Sequence, residues 1–198
     1  MTKKYELVLD DTISFWGWKL FRIRALISFG SVEAGDLGGY IEKEENLSHD
    51  DNAWVSGDAK VWGNAWVSGN AKVCGDAEVS GDAKVWGDAE VSGNAWVSGN
   101  AKVCGDAEVS GDAKVWGDAE VSGDAKVSEL GDIIVFKNHW SSGRHFTYTK
   151  SNKMWKAGCF YGTGQELIEK AYRDSEKSGN HYKAYVDFVE SLEKLNDQ

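Results

Sequence analysis

Proline is absent from the 198 residues, and cysteine occurs only three times, at Cys74, Cys104 and Cys159. Cys74 and Cys104 are one repeat position copied, so the three do not make a disulfide framework; reduced thiols and a cytoplasmic location are expected. No run of about 18 apolar residues is present, so no membrane-spanning helix is expected. The opening MTKKYELVLDDT lacks the apolar core of a signal peptide. Basic residues are outnumbered and the net charge is −10. That excludes a general binder of nucleic-acid backbones, which needs a basic face, and a partner of anionic membranes. What is abundant is tryptophan, ten in all, and glycine, which falls at fixed intervals. Such even spacing, with so much Val and Trp, is not that of a disordered low-complexity tract.

The spacing comes from a repeat. GNAWVSGNAKVCGDAEVSGDAKVWGDAEVS runs from Gly63 to Ser92 and again, unchanged, from Gly93 to Ser122. Its unit is six residues: from Asp51 to Ser128 the chain reads as thirteen hexads of the form [GD]-[DN]-A-x-V-[SWC]. Gly followed by Asp or Asn makes a turn, because both tolerate positive φ. A-x-V makes a short strand whose Ala and Val, two apart, point to one side. Such strands are too short for hairpins. They suit a coil that stacks on itself and buries Ala and Val between turns.

The pattern resembles the hexapeptide repeat of left-handed parallel β-helices, in which an aliphatic residue is followed four places later by a small one, as Val55 is by Ala59 and Val121 by Ala125. The resemblance implies a triangular prism with three hexads per coil, about 20 Å long at the usual strand spacing of roughly 4.8 Å. Residues eighteen apart then stack in three ladders: Trp54, Lys72, Glu90, Glu108, Lys126; Lys60, Glu78, Trp96, Lys114; and Trp66, Lys84, Lys102, Glu120. The thirty-residue duplication is five hexads, which is not a multiple of three, so the second copy is turned one face from the first. On this reading the duplication lengthens a stand rather than extending a flat face. Trp54, Trp62, Trp66, Trp86, Trp96 and Trp116 are expected on the outside, as a subunit interface; the resemblance implies a homotrimer or a multiple of one. The Asp column shares its places with Asn and is read as turn chemistry, not a metal site.

Three divisions are expected: an N-terminal β cap and lead-in over 1–50, the helix of hexads over 51–128, and a small α+β module over 129–198. In the cap, KYELVL and KLFRIRALI read as strands. FWGW places Trp16 and Trp18 in the core or an interface. Leu37, Ile41 and Leu47 begin the stack, and His49 takes the place of a Val as a buried edge residue. In the module, DIIVF, RHFTYTK and KMWKAGCF read as three strands. Thr163 and Glu166 form a T-x-x-E capping box for a first helix, and a second runs from about His181 to Leu195. Beyond the hexads the balance of charge moves from strongly acidic to near neutral. Arg144, Lys150, Lys153 and Lys156 gather there, with Gly158, Gly162 and Gly164 around a helix start that favours an anion. Trp155 and Thr163 complete the set of candidate ligand-binding residues. No cofactor, metal or catalytic residue is expected.

The lead-in GDLGGYIEKEENLSHD, the hexads and the tail TKSNKMWKAGCFYGT with its two helices together resemble proteins of bacteriophages and prophages. That resemblance brings no established activity. Three functions compete. The first is an oligomeric binding or sequestering protein, its helix a scaffold and its module taking a small anionic, nucleotide-like ligand or a host defence protein. The second is a spacer or assembly protein. The third is an acyltransferase, which the hexapeptide fold alone does not imply. No His lies within the hexads; His49, His139, His145 and His181 lie at the ends.

Overall fold

The computed structural model describes residues 3–196; the first two and last two residues of the divisions above lie outside them. A hairpin of β1 (Tyr5–Phe15) and β2 (Trp18–Ala25) leads to β3 (Leu37–Ile41). Thirteen two-residue strands follow at six-residue steps, β4 (Trp54–Val55) to β16 (Lys126–Val127). The chain ends with β17 (Ile133–Lys137), β18 (His145–Thr149), β19 (Met154–Ala157), β20 (Phe160–Gly162), α1 (Gly164–Asp174) and α2 (Glu176–Asn196).

The hexads build a parallel β-solenoid with three faces. Each x-V strand pairs with the strand eighteen residues on, as Trp54 with Lys72 and Lys102 with Glu120. The first face is β4-β7-β10-β13-β16, the second β3-β5-β8-β11-β14, and the third β6-β9-β12-β15. A bridge from Leu47 to Val67 adds a fifth rung to the third face. All thirteen hexad Val residues are fully buried and no hexad Ala is more than 1 % exposed. The bore is therefore filled by small side chains, rung against rung. The corners demand glycine: Gly87 has φ +77°, and a Cβ on it would lie 3.0 Å from the nitrogen of Gly105 below.

The hydrogen bonding between rungs runs largely one way. The second, fourth and sixth N–H groups of a hexad donate to the first, third and fifth carbonyls one rung later: Asp58 to Gly75 at 2.9 Å, Lys60 to Ala77 at 2.9 Å, Trp62 to Val79 at 3.1 Å. The two ends are thus chemically opposite. The first rungs present carbonyls, and the N-terminal segment supplies donors. Lys4 Nζ, almost wholly buried, donates to the carbonyls of Ala53 at 2.9 Å, Asp50 at 3.2 Å and Asp51 at 3.3 Å. Desolvation pushes its pKa down to about 8 although Asp51 and Asp50 pull the other way. Asn46 Nδ2 donates to Gly63 and Ala65. The last rung presents N–H groups, and the C-terminal segment supplies acceptors. Thr147 Oγ1 accepts from Glu120 at 3.0 Å, Ser151 Oγ from Lys126 at 2.8 Å, and Asp132 Oδ2 from Ser128 at 2.7 Å. Burial pushes the Asp132 carboxyl up, but the N–H groups of Ser128 and Glu129 and the Ser128 hydroxyl outweigh it and hold the group below the usual range.

Four expectations for the cap need correction. Trp16 and Trp18 are exposed at the hairpin tip, where Gly17 turns the chain, so of the two places expected for them the core is excluded and an interface remains. Leu37 is exposed; Ile41 and Leu47 do begin the stack. His49 does not replace a Val. Leu47 pairs with Val67 and Ile41 with Val61, both twenty residues on, so two extra residues widen the next corner and make room for Lys4. His49 instead stacks on Tyr5 with ring centroids 4.2 Å apart. Trp54 and Trp62 are not outward interface residues either. The cap covers them, Trp54 against Phe29 and Tyr5, Trp62 against Phe15, Leu20 and Tyr40.

The C-terminal sheet has four strands rather than three. Gly158, at φ +61°, and Cys159 turn the chain so that Phe160–Gly162 pairs back on β19. The helix α2 starts at Glu176, before the expected start near His181. Ser175 Oγ accepts from the Ser178 N–H, and Gly179 lets the two helices close: a Cβ there would fall 2.2 Å from the Tyr172 ring. Phe146, Tyr148, Trp155, Leu167, Val186 and Val189 form the core between sheet and helices. Among the described residues no helix is long and apolar enough to cross a membrane.

Replacing Thr147 by Val keeps the shape of this buried side chain and removes the acceptor for the Glu120 N–H. The expected loss is about 1–3 kcal/mol in urea unfolding, the usual cost of an orphaned buried donor. Ser142→Val, in an exposed turn, is the control and is expected to cost little.

Candidate functional site

The module does not merely close the solenoid; it leaves a cleft of about 680 Å³ against the third face. The floor is Asn100, Lys102, Asp118 and Glu120, and the roof is Gly143, Arg144, His145, Gly158 and Cys159. Strand alternation decides what enters it. On β18, Phe146 and Tyr148 point into the module core, so His145 and Thr147 face the solenoid. On β19, Trp155 pairs with Tyr148 and Lys156 with Thr147, so Trp155 is buried and Lys156 faces the floor.

The contacts are polar and ordered. His145 Nδ1 lies 2.9 Å from Asp118 Oδ2, and the other carboxylate oxygen accepts from Asn100 Nδ2 at 2.9 Å. Lys156 Nζ is 3.4 Å from Glu120 Oε1, and Lys102 Nζ is 4.0 Å from Glu120 Oε2. Arg144 makes no ion pair within 4 Å among the described residues. Burial first, and Glu120 second, push the thiol of Cys104 beside this floor up, so it stays a thiol. With Asp118 on Nδ1, the imidazole of His145 keeps Nε2 as a hydrogen-bonding group for whatever enters.

Of the six candidate ligand-binding residues, Arg144 lines this cleft, and Lys156 reaches its floor as the partner of Glu120. Lys150 lies elsewhere, beside a small cavity near Ile134 and Leu192. Lys153 faces Glu193 at 3.8 Å. Trp155, 2 % exposed, stacks on Phe136 and Phe146 in the module core and offers no platform to a ligand. The Thr163 hydroxyl is engaged in the cap of α1, accepting from Glu166 N–H at 3.3 Å and donating to its carboxylate at 2.9 Å. Five polar residues of the cleft were not foreseen: Asn100, Lys102, Asp118, Glu120 and His145. For the four on the floor the signal was the eighteen-residue spacing: Lys102 to Glu120 was read only as ladder pairing, and the places of Asn100 and Asp118 only as turn chemistry. His139 and His181 pack with Trp140 away from the cleft. Of the outward tryptophans, Trp66 and Trp116 are exposed; Trp86 and Trp96 are half-buried, Trp96 beside Trp116 with centroids 5.7 Å apart.

In comparison with known proteins, no family model matches the chain, and no curated protein matches it.

The floor is written wholly within the second copy of the thirty-residue block, and the first copy carries the same residues as Asn70, Lys72, Asp88 and Glu90. A chain lacking 93–122 therefore sets an identical floor under the module. A chain lacking 93–110 keeps the two ends in their present orientation but puts Asp82 where Asn100 donates to Asp118. The imidazole NMR signals of His145 are expected to be preserved in the first and displaced in the second; the reverse result would separate the floor from the block.

Proposed function

We propose that this is a non-catalytic binding protein in which the solenoid is the scaffold and the cleft under the module takes a small anionic, nucleotide-like ligand. One observation carries the reading. Arg144 and Lys102 line a cleft whose lining carboxylates are already engaged, Asp118 by His145 and Asn100 and Glu120 by Lys156, in a chain of net charge −10. An anion entering there meets an unpaired guanidinium suited to bidentate oxygen pairs, beside carboxylates that already have partners. Calorimetric titration with inorganic phosphate and with nucleoside mono- and diphosphates tests it. Arg144→Glu is expected to weaken binding by about tenfold or more, and Lys150→Glu to leave it unchanged. Binding indifferent to Arg144 would overturn the assignment.

The same proposal gives the solenoid the left hand of the hexapeptide class, a bacteriophage or prophage origin and a place in the host cytoplasm; the resemblance of hexads, lead-in and tail supports these. It also has copies associating side by side through Trp66 and Trp116. Their exposure supports this, since indoles in clusters on a surface mark contact sites. In sedimentation velocity, Trp66→Ser with Trp116→Ser is expected to shift the protein to a smaller species. An unchanged sedimentation coefficient would assign the indoles another role.

A further inference from the structure

The first copy of the block forms a groove of its own. About 470 Å³ in volume, it lies on the first face at the other end of the solenoid, floored by Asn70, Lys72, Asp88 and Glu90 and walled by Trp54 and the turn at Ser31. The two floors agree in detail. Asn70 donates to Asp88 at 2.9 Å as Asn100 does to Asp118, and Lys72 pairs in register with Glu90 as Lys102 does with Glu120. The thirty-residue shift has turned the second copy by one face, and different ends of the chain close the two copies.

What lies over each floor differs. In the second copy, with its own lysine in place, the floor holds two further cationic or N–H donor groups: the imidazole of His145 on Asp118 and the ammonium of Lys156 on Glu120. In the first copy neither position holds a nitrogen group from the cap; among the described residues Glu90 Oε1 accepts only from the Cys74 thiol, at 4.0 Å. Asp88 and Glu90 make no ion pair within 4 Å among the described residues. Glu90 also stacks against Glu108 on the next rung, a like-charge pair that costs stability. The wall supplies the indole of Trp54, Ser31 and Val32, and no cation.

We infer that the N-terminal groove is a second binding site, with the opposite charge preference to the C-terminal cleft: it takes a small organic dication, a molecule with two protonated amino groups that occupy the places held in the second copy by His145 and Lys156. The molecule thus contains its own precedent, because the same four residues in the same hydrogen-bonded arrangement already hold two nitrogen groups, the imidazole of His145 and the ammonium of Lys156. The carboxylates bind the amino groups, and Trp54 and Val32 cover the apolar link between them. The inference stands apart from the anion reading, which concerns the other cleft.

Butane diamine, followed by amide NMR shifts at Ser31, Ser56 and Asn70, is the probe. Saturable binding is expected, tighter than that of butylamine and absent for butanediol. Asp88→Asn with Glu90→Gln, which keep shape, should weaken it by about tenfold. Asp118→Asn with Glu120→Gln, the same change on the second floor, should leave it within about twofold. The chain lacking 93–122 supplies an arm free of point changes: its single floor is covered by the module, and diamine binding should disappear. No saturable binding, no preference over butylamine, equal loss from both double variants, or full binding by the shortened chain would each overturn the site. Phosphate binding at Arg144 is read in the same samples, so that failure of one site is distinguishable from failure of the other.

Discussion

The structure depends on a direction. In each hexad three N–H groups reach forward to carbonyls on the next rung, and the coil has to stop somewhere. Where it stops, one end presents mainly acceptors and the other mainly donors, and neither can be left buried without partners. The cap and the module are the two answers. Lys4 and Asn46 bring N–H groups to the first end; Thr147, Ser151 and Asp132 bring oxygens to the last. The hexads are alike in the bore, since each buries the same Ala and Val, and differ in what they carry outside. The ends are not alike, and the chain's individuality is concentrated there.

The cleft follows from this arrangement. Thr147 must meet the Glu120 N–H, and that contact lays β18 along the third face. Its neighbours on the same side of β18 and β19, His145 and Lys156, are then placed over Asp118 and Glu120. A residue that completes the backbone hydrogen bonding of the solenoid thereby also brings a site together, and the solenoid supplies half of that site.

Most of the solenoid was legible in the sequence because its period is local and never breaks: strand positions, pairing partners eighteen apart and inward Ala and Val all follow from six letters. The ends were less legible, because their contacts join distant residues. Nothing near Lys4 announces that it will reach the carbonyls of Asp50, Asp51 and Ala53, and a two-residue corner displaced His49 from its expected register. Trp54 and Trp62 match the outward tryptophans in sequence and differ only in having a cap over them. At the candidate site, Arg144 and Lys156 were found by charge, but alternation on β19 put Trp155 in the core. Asp118 and His145 could be joined only by the fold. The duplication was read as added length, and its even wording hid that each copy carries a complete floor.

The one-way bonding has an electrical side as well. With three amides in every six pointing toward the last rung and the one inside each parallel strand pair pointing back, the coil keeps a net polarity whose C-terminal end carries the hydrogen ends and whose N-terminal end carries the oxygens. The chain has fitted each pole with a counter-charge, the ammonium of Lys4 at the oxygen end and the carboxylate of Asp132 at the hydrogen end. Reversing the cap and the module would set like against like at both poles, so the order of the parts along the chain is fixed by electrostatics as well as by shape.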